Sequence, residues 1–78
     1  MEAYTDRTNL SKREFQVMKL VAAGKINKEI AYELKLKPDT IGKHMMHIFT
    51  KLRVQNRTEA TLKFLVLIGR IIFIDNNE

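Results

Sequence analysis

Ile41, Met45, Ile48, Phe49 and Leu52 stand at i, i+4, i+7, i+8 and i+11 of one segment, the longest regular apolar pattern in the chain. That spacing matches a helix of 3.6 residues per turn and gathers the five side chains on one side. The other side carries Thr40, Lys43, Met46, His47, Thr50 and Lys51, with Lys43, His47 and Lys51 in a row four residues apart. A helix this short is marginal alone in water, so other elements must cover its apolar side. Pro38, just ahead of the stripe, fits the first turn of a helix, where its missing N–H leaves nothing unpaired. The pattern predicts a helix over about 38–52. The chain has 78 residues, enough for one domain with a small core.

Three further segments have helical spacing. Ser11 and Glu14 make a capping-box pair, each side chain able to accept from the other residue's backbone N–H, and Leu10 and Phe15 flank it at the positions of a hydrophobic staple. Val17, Met18, Leu20 and Val21 form the buried stripe of this first helix, and Gly24 is its natural stop. A second helix is expected over about Asn27 to Leu34, with Asn27 as its N-cap and Ile30, Ala31 and Leu34 on one face. Lys35, Leu36 and Lys37 form the short turn to the third helix. A fourth starts near Asn56, which pairs with Glu59 as a cap, and runs through Leu62, Phe64, Leu65 and Val66 to Gly69. Period-two alternation extends over no useful length, so the expected fold is all-α, a small four-helix bundle. Residues 1–9 read as a flexible N-terminal arm, 10–70 as the domain and 71–78 as a C-terminal tail.

Charge narrows the function. The net charge is +5, and from Lys35 to Arg57 six basic residues (Lys35, Lys37, Lys43, Lys51, Arg53 and Arg57) face a single acid, Asp39. A concentrated basic patch favours a polyanion, either nucleic acid or an anionic membrane surface; a solvated lysine-rich surface is the plain alternative. The start, MEAYTDRTN, lacks the apolar core of a secretory signal, and Leu62 to Ile74 is interrupted by Lys63, Gly69 and Arg70 and is too short to span a bilayer. A cytoplasmic protein with no membrane partner is expected. With no cysteine, and only His44 and His47 at i, i+3, there is no metal-ligand set. No nucleophile–base pairing, carboxylate pair or glycine-rich phosphate loop is present, so neither an enzyme nor a cofactor is expected.

Two short helices joined by a tight turn, the second with a basic outer face, constitute a helix-turn-helix. In that motif the second helix enters the major groove of double-stranded DNA and the first braces it across the backbone. From Leu10 to about Ala60 the chain resembles the LuxR-type (GerE-like) helix-turn-helix family. The strings that carry the resemblance are LSKREFQVMKLVAAGK, NKEIAYEL, PDTIGKHMMHIFTKLRV and NRTEA, in the family's order and spacing. The resemblance implies a sequence-specific DNA-binding transcriptional regulator with residues 38–52 as the recognition helix. It implies a DNA-facing set of Asn27, Lys28, Thr40, Gly42, Lys43, His44, Met46, His47, Thr50 and Lys51. Within it, Lys43 and Met46 fall where base edges are read. Lys43 can donate to guanine acceptors, whereas Met46 offers only apolar contact, for example to a thymine methyl. Lys28 and Thr40 match phosphate-contacting positions. Alternatives stand beside these assignments: Met46 as a half-exposed core filler, Thr40 bonding its own helix start, and Lys28 paired locally with Glu29 or Glu33.

The family also implies a homodimer through the fourth helix, for which Thr61, Leu62, Leu65, Val66 and Gly69 are the candidate contacts. Relatives usually carry the domain after a receiver or ligand-sensing domain, while a few stand alone. A sensor or receiver domain is therefore an expected partner if the chain is an excised C-terminal domain. A helix-turn-helix module that modulates another regulator through helix 4 is the alternative function. Three departures from the family pattern matter. Lys35 stands where glycine is common and must adopt a left-handed conformation or a different turn. Lys37 replaces the usual Ser or Thr cap. Gly42 occupies a site that is often basic, inside a helix, at about 1 kcal/mol of propensity relative to alanine.

Overall fold

The structure, a computed structural model, describes residues 7–69. Among them four α-helices follow one another: α1 (Lys12–Ala22), α2 (Asn27–Leu34), α3 (Pro38–Leu52) and α4 (Arg57–Leu67). Their starts are set locally. The Ser11 hydroxyl accepts from the Glu14 N–H at 3.1 Å, and the Glu14 carboxylate accepts from the Ser11 N–H at 2.9 Å, so the capping box is complete. Asn56 caps α4 by accepting from the Glu59 N–H at 2.9 Å, while Glu59 accepts from the Gln55 N–H rather than closing back on Asn56. Lys37 has the extended backbone of a cap but makes no side-chain capping bond, and Pro38 opens α3 behind it.

Asn27 is not the cap of α2. It is the first helical residue, and Ile26 occupies the cap position. Isoleucine has no side-chain acceptor, and the only side-chain help comes from Glu29, which accepts from the Ile26 N–H at 2.9 Å. The Asn27 side-chain oxygen Oδ1 instead accepts from the Arg57 guanidinium at 2.7 Å, across 30 residues, and caps no N–H of α2.

Three helices end alike. After α1, α2 and α3 the chain turns through a left-handed residue, Gly24 (φ 91), Lys35 (φ 60) and Arg53 (φ 58) respectively. In each case the next residue's N–H reaches back five positions: Lys25 to the Leu20 carbonyl, Leu36 to Ala31 and Val54 to Phe49. These are Schellman endings, which satisfy the orphan carbonyls of the last turn. Gly24 adopts the conformation freely, whereas left-handed backbone costs a residue with a Cβ roughly 1–2 kcal/mol. Of the two outcomes open to Lys35, the chain therefore takes the strained one.

The core is the sum of the four apolar faces: Leu10, Val17, Met18, Val21, Ile30, Ala31, Ile41, Met45, Ile48, Leu52, Ala60 and Phe64 are all buried. α3 packs against the other three helices, and α4 closes over α1 and α3. Phe15, placed by the staple pattern, meets Phe64 edge to face with ring centroids 5.2 Å apart. Packing begins before Leu10: residues 7–8 are helical and Thr8 is buried, so the end of the expected arm belongs to the folded part. The rest of that arm and the tail at 71–78 lie outside the described residues. No helix among the described residues is long and apolar enough to cross a membrane.

Candidate nucleic-acid interface

Because Ile41, Met45, Ile48 and Leu52 are buried, the opposite side of α3 must face outward. It does: Lys43, Met46, His47 and Thr50 are exposed, and Met46 keeps 67% of its surface. Thr40, Gly42 and His44 flank this strip and are half-buried. That exposure rules out a core-filling role for Met46. The Thr50 hydroxyl donates to the Met46 carbonyl at 3.2 Å, a back-bond within the helix that leaves its oxygen able to accept from a partner. The Thr40 N–H donates to the Lys37 carbonyl at 2.9 Å.

The basic residues divide into two sets. Lys51 ends the row of Lys43, His47 and Lys51, yet its ammonium is 2.8 Å from the Glu14 carboxylate, an ion pair between α3 and the start of α1. It is held to the protein rather than extended from the strip, because Glu14 is buried and a buried carboxylate requires partners. Arg57 is likewise engaged, donating to the Lys25 carbonyl at 2.6 Å and to Asn27 at 2.7 Å. These two bonds fasten α4 to the loop before α2 and to the first residue of α2. In contrast Lys28, Lys35, Lys37 and Lys43 are exposed, and none forms an ion pair among the described residues. Local pairing of Lys28 with Glu29 or Glu33 is therefore not found. These four lie on α2, on the α2–α3 turn and on the outer face of α3, the elements a groove-reading motif would present; Arg53 after α3, Lys12, Arg13 and Lys19 on α1 and Lys63 on α4 are likewise exposed and without an ion pair among the described residues.

Neither Lys51 nor Arg57 could have been separated from the free cations by composition. The one available signal was Glu14: a glutamate at N3 of a capped helix, facing the core, needs a cation from elsewhere. Burial pushes its carboxyl up, but the hydrogen bonds from Lys51 and Ser11 and the Lys51 charge outweigh burial and hold it below the usual glutamate range. A carboxyl with a lowered folded pKa contributes stability that is complete above the unfolded value and is lost as pH falls through the folded one. Wild-type stability should therefore drop as pH falls below about 4.5, near the usual glutamate range. Glu14→Gln should be about 1 kcal/mol less stable near neutrality and show a shallower decline in acid. Urea denaturation at several pH values between neutral and acid measures both slopes. Parallel pH profiles would show that the pair contributes nothing.

On α4, Leu62 and Val66 form with Val54 a shallow apolar groove of about 330 Å³, bordered by Glu59 and Lys63. Leu62 is 43% exposed. Of the other candidate pairing residues, Thr61 is half-buried, Leu65 is partly buried against the core and Gly69 is exposed. Among the described residues no group of three or more His, Cys, Asp or Glu side chains could hold a metal ion.

Known proteins are similar to this chain in sequence. The chain is 44% identical over 59 residues to the transcriptional regulatory protein DesR of Bacillus subtilis, covering 76% of this chain and 30% of the relative. It is 43% identical over 54 residues to the transcriptional regulatory protein LiaR of the same organism, 69% of this chain and 26% of the relative. To the oxygen regulatory protein NreC of Staphylococcus aureus it is 44% identical over 50 residues, 64% of this chain and 23% of the relative. The chain thus spans less than a third of the length of these relatives. No solved structure matches it at a comparable level. The model of the bacterial regulatory proteins of the luxR family matches residues 8–64, from buried Thr8 to buried Phe64, and the chain belongs to that family.

Proposed function

We propose that this domain binds double-stranded DNA sequence-specifically, with α3 in the major groove and α2 across the backbone, and that it regulates transcription. The observation that supports this best is the outward strip of α3, where Lys43 stands unpaired beside exposed Met46 and His47. Such a strip offers the Lys43 ammonium and the His47 imidazole as donors for base edges, while Lys28, Lys35 and Lys37 supply cations for phosphates. The relatives' names, which describe transcriptional regulators, agree with this reading.

The test is a salt titration of affinity for duplex DNA, with wild type and Lys28→Ala. Phosphate contacts release counterions, so affinity should fall steeply with salt. Lys28→Ala should weaken binding to all sequences alike and lower the salt slope by about one unit. Absence of binding at low salt would overturn the reading, and an unchanged slope would place Lys28 away from the DNA.

The domain is further proposed to pair with a second copy through the Val54, Leu62 and Val66 groove. An exposed apolar patch marks an interface, and Glu59 and Lys63 at its border can complement each other across a two-fold axis. A two-fold dimer sets its recognition helices about 34 Å apart, one turn of DNA, and reads an inverted repeat. Sedimentation of Leu62→Glu against wild type, each with a selected duplex, should show two copies per duplex for wild type and one for the variant. A strict 1:1 wild-type complex on a site without dyad symmetry would sink the pairing.

A further inference from the structure

Gly42 gains nothing from the fold that holds it. It sits inside α3, where glycine is a poor helix former, and the positive-φ glycines are Gly24 and Gly69, so no special backbone conformation requires it. Nor does close packing. A Cβ built on Gly42 meets no atom within 4 Å. The helix therefore accepts a weaker residue with no return in backbone geometry or packing. A local rule broken without structural compensation points to the surface on which the residue lies.

That surface is apolar in one place. Met46 follows Gly42 by four residues, so the two are neighbours one turn apart on the same flank of α3. Met46 is exposed and has a flexible, polarizable thioether. Lys43 adjoins them on the exposed strip. Together they offer open space over Gly42, an exposed apolar side chain one turn on at Met46 and a cation alongside. In the major groove, the feature of a base pair that makes no hydrogen bond is the 5-methyl group of thymine. We infer that the space left over Gly42, with Met46 one turn on, takes a thymine 5-methyl group and so sets sequence preference at one base pair of each half-site. This inference rests on α3 reading the major groove.

The experiment begins with the duplex selected by wild-type protein from a random pool. Each thymine is then replaced singly by deoxyuridine, which removes only the methyl. At one position per half-site, wild type should lose about fourfold in affinity, the value of one buried methyl group. Restoring a methyl at that position as a 5-methylcytosine pair should bind better than the cytosine pair. Gly42→Ala occupies that space and should abolish the uracil sensitivity while raising Tm by roughly 4–8 °C. Met46→Ala should also abolish it without changing the fold seen by circular dichroism. Uniform affinity across all uracil duplexes would overturn the inference while leaving DNA reading intact, and so would retained sensitivity in Gly42→Ala or a lowered Tm. No selection from the pool at any salt would overturn both the inference and the reading beneath it.

Discussion

Phe64→Ala is expected to remove more than half of the stability of the domain at 25 °C. Phe64 is 1% exposed and lies on the face of α4 that closes over α1 and α3. Truncating a buried phenylalanine costs about 3–5 kcal/mol, through lost transfer energy and the cavity left behind. The edge-to-face contact with Phe15 adds about 0.5–1.5 kcal/mol that alanine cannot replace. A domain of this length has roughly 4–12 kcal/mol in total, so the loss consumes most of it. Relaxation is restricted because other residues of the same core, Met18, Ile48 and Leu52 among them, are themselves fully or almost fully buried. Leu62→Ala is the matched control on the same helix: Leu62 is 43% exposed, and its truncation should cost under about 1 kcal/mol. Urea denaturation followed by circular dichroism compares the two. A Phe64→Ala loss as small as that of Leu62→Ala would mean that α4 is not part of the cooperative core.

Lys43→Ala should weaken binding to the selected duplex by about 1–3 kcal/mol, roughly 5- to 150-fold, and relax the preference at one base position. Lys43 is exposed on α3 and makes no ion pair among the described residues. Its removal therefore breaks no ion pair and should leave the fold unchanged. The contrast with Lys51 is informative. Lys51 lies on the same helix, but its ammonium is held by Glu14, so Lys51→Ala should lower stability and change affinity only modestly. Competition binding with selected and random duplexes separates the outcomes. Equal loss on both would make Lys43 a phosphate contact rather than a base reader.

The helices were legible from short-range signals. Ser11 with Glu14, Asn56 with Glu59, Pro38, and the 3.6-residue stripe from Ile41 to Leu52 each act within one or two turns, and each appears in the structure where the pattern places it. Asn27 was misassigned as a cap for the reason that made the others easy. Capping preference is a local propensity, and Arg57, 30 residues away, offers the Asn27 oxygen a charge-assisted bond that the local cap cannot match. The exposure of Lys43, Met46 and His47 followed from the period of the stripe, since burial of one face fixes the other.

The sequence by itself determined the order and approximate bounds of the four helices from α1 to α4, which of their faces are apolar, and the family, because these depend on residues close together in the chain. Only the tertiary structure decided which basic residues are free. Six cations between Lys35 and Arg57 look alike in sequence, yet Lys51 is engaged with Glu14 and Arg57 with Lys25 and Asn27, across separations of 30 to 37 residues. The physical reason is that a buried carboxylate and the free acceptor oxygens of Lys25 and Asn27 take whichever donor the packing of the helices brings within reach. That choice is made by the fold of the whole chain and leaves no pattern within any one segment.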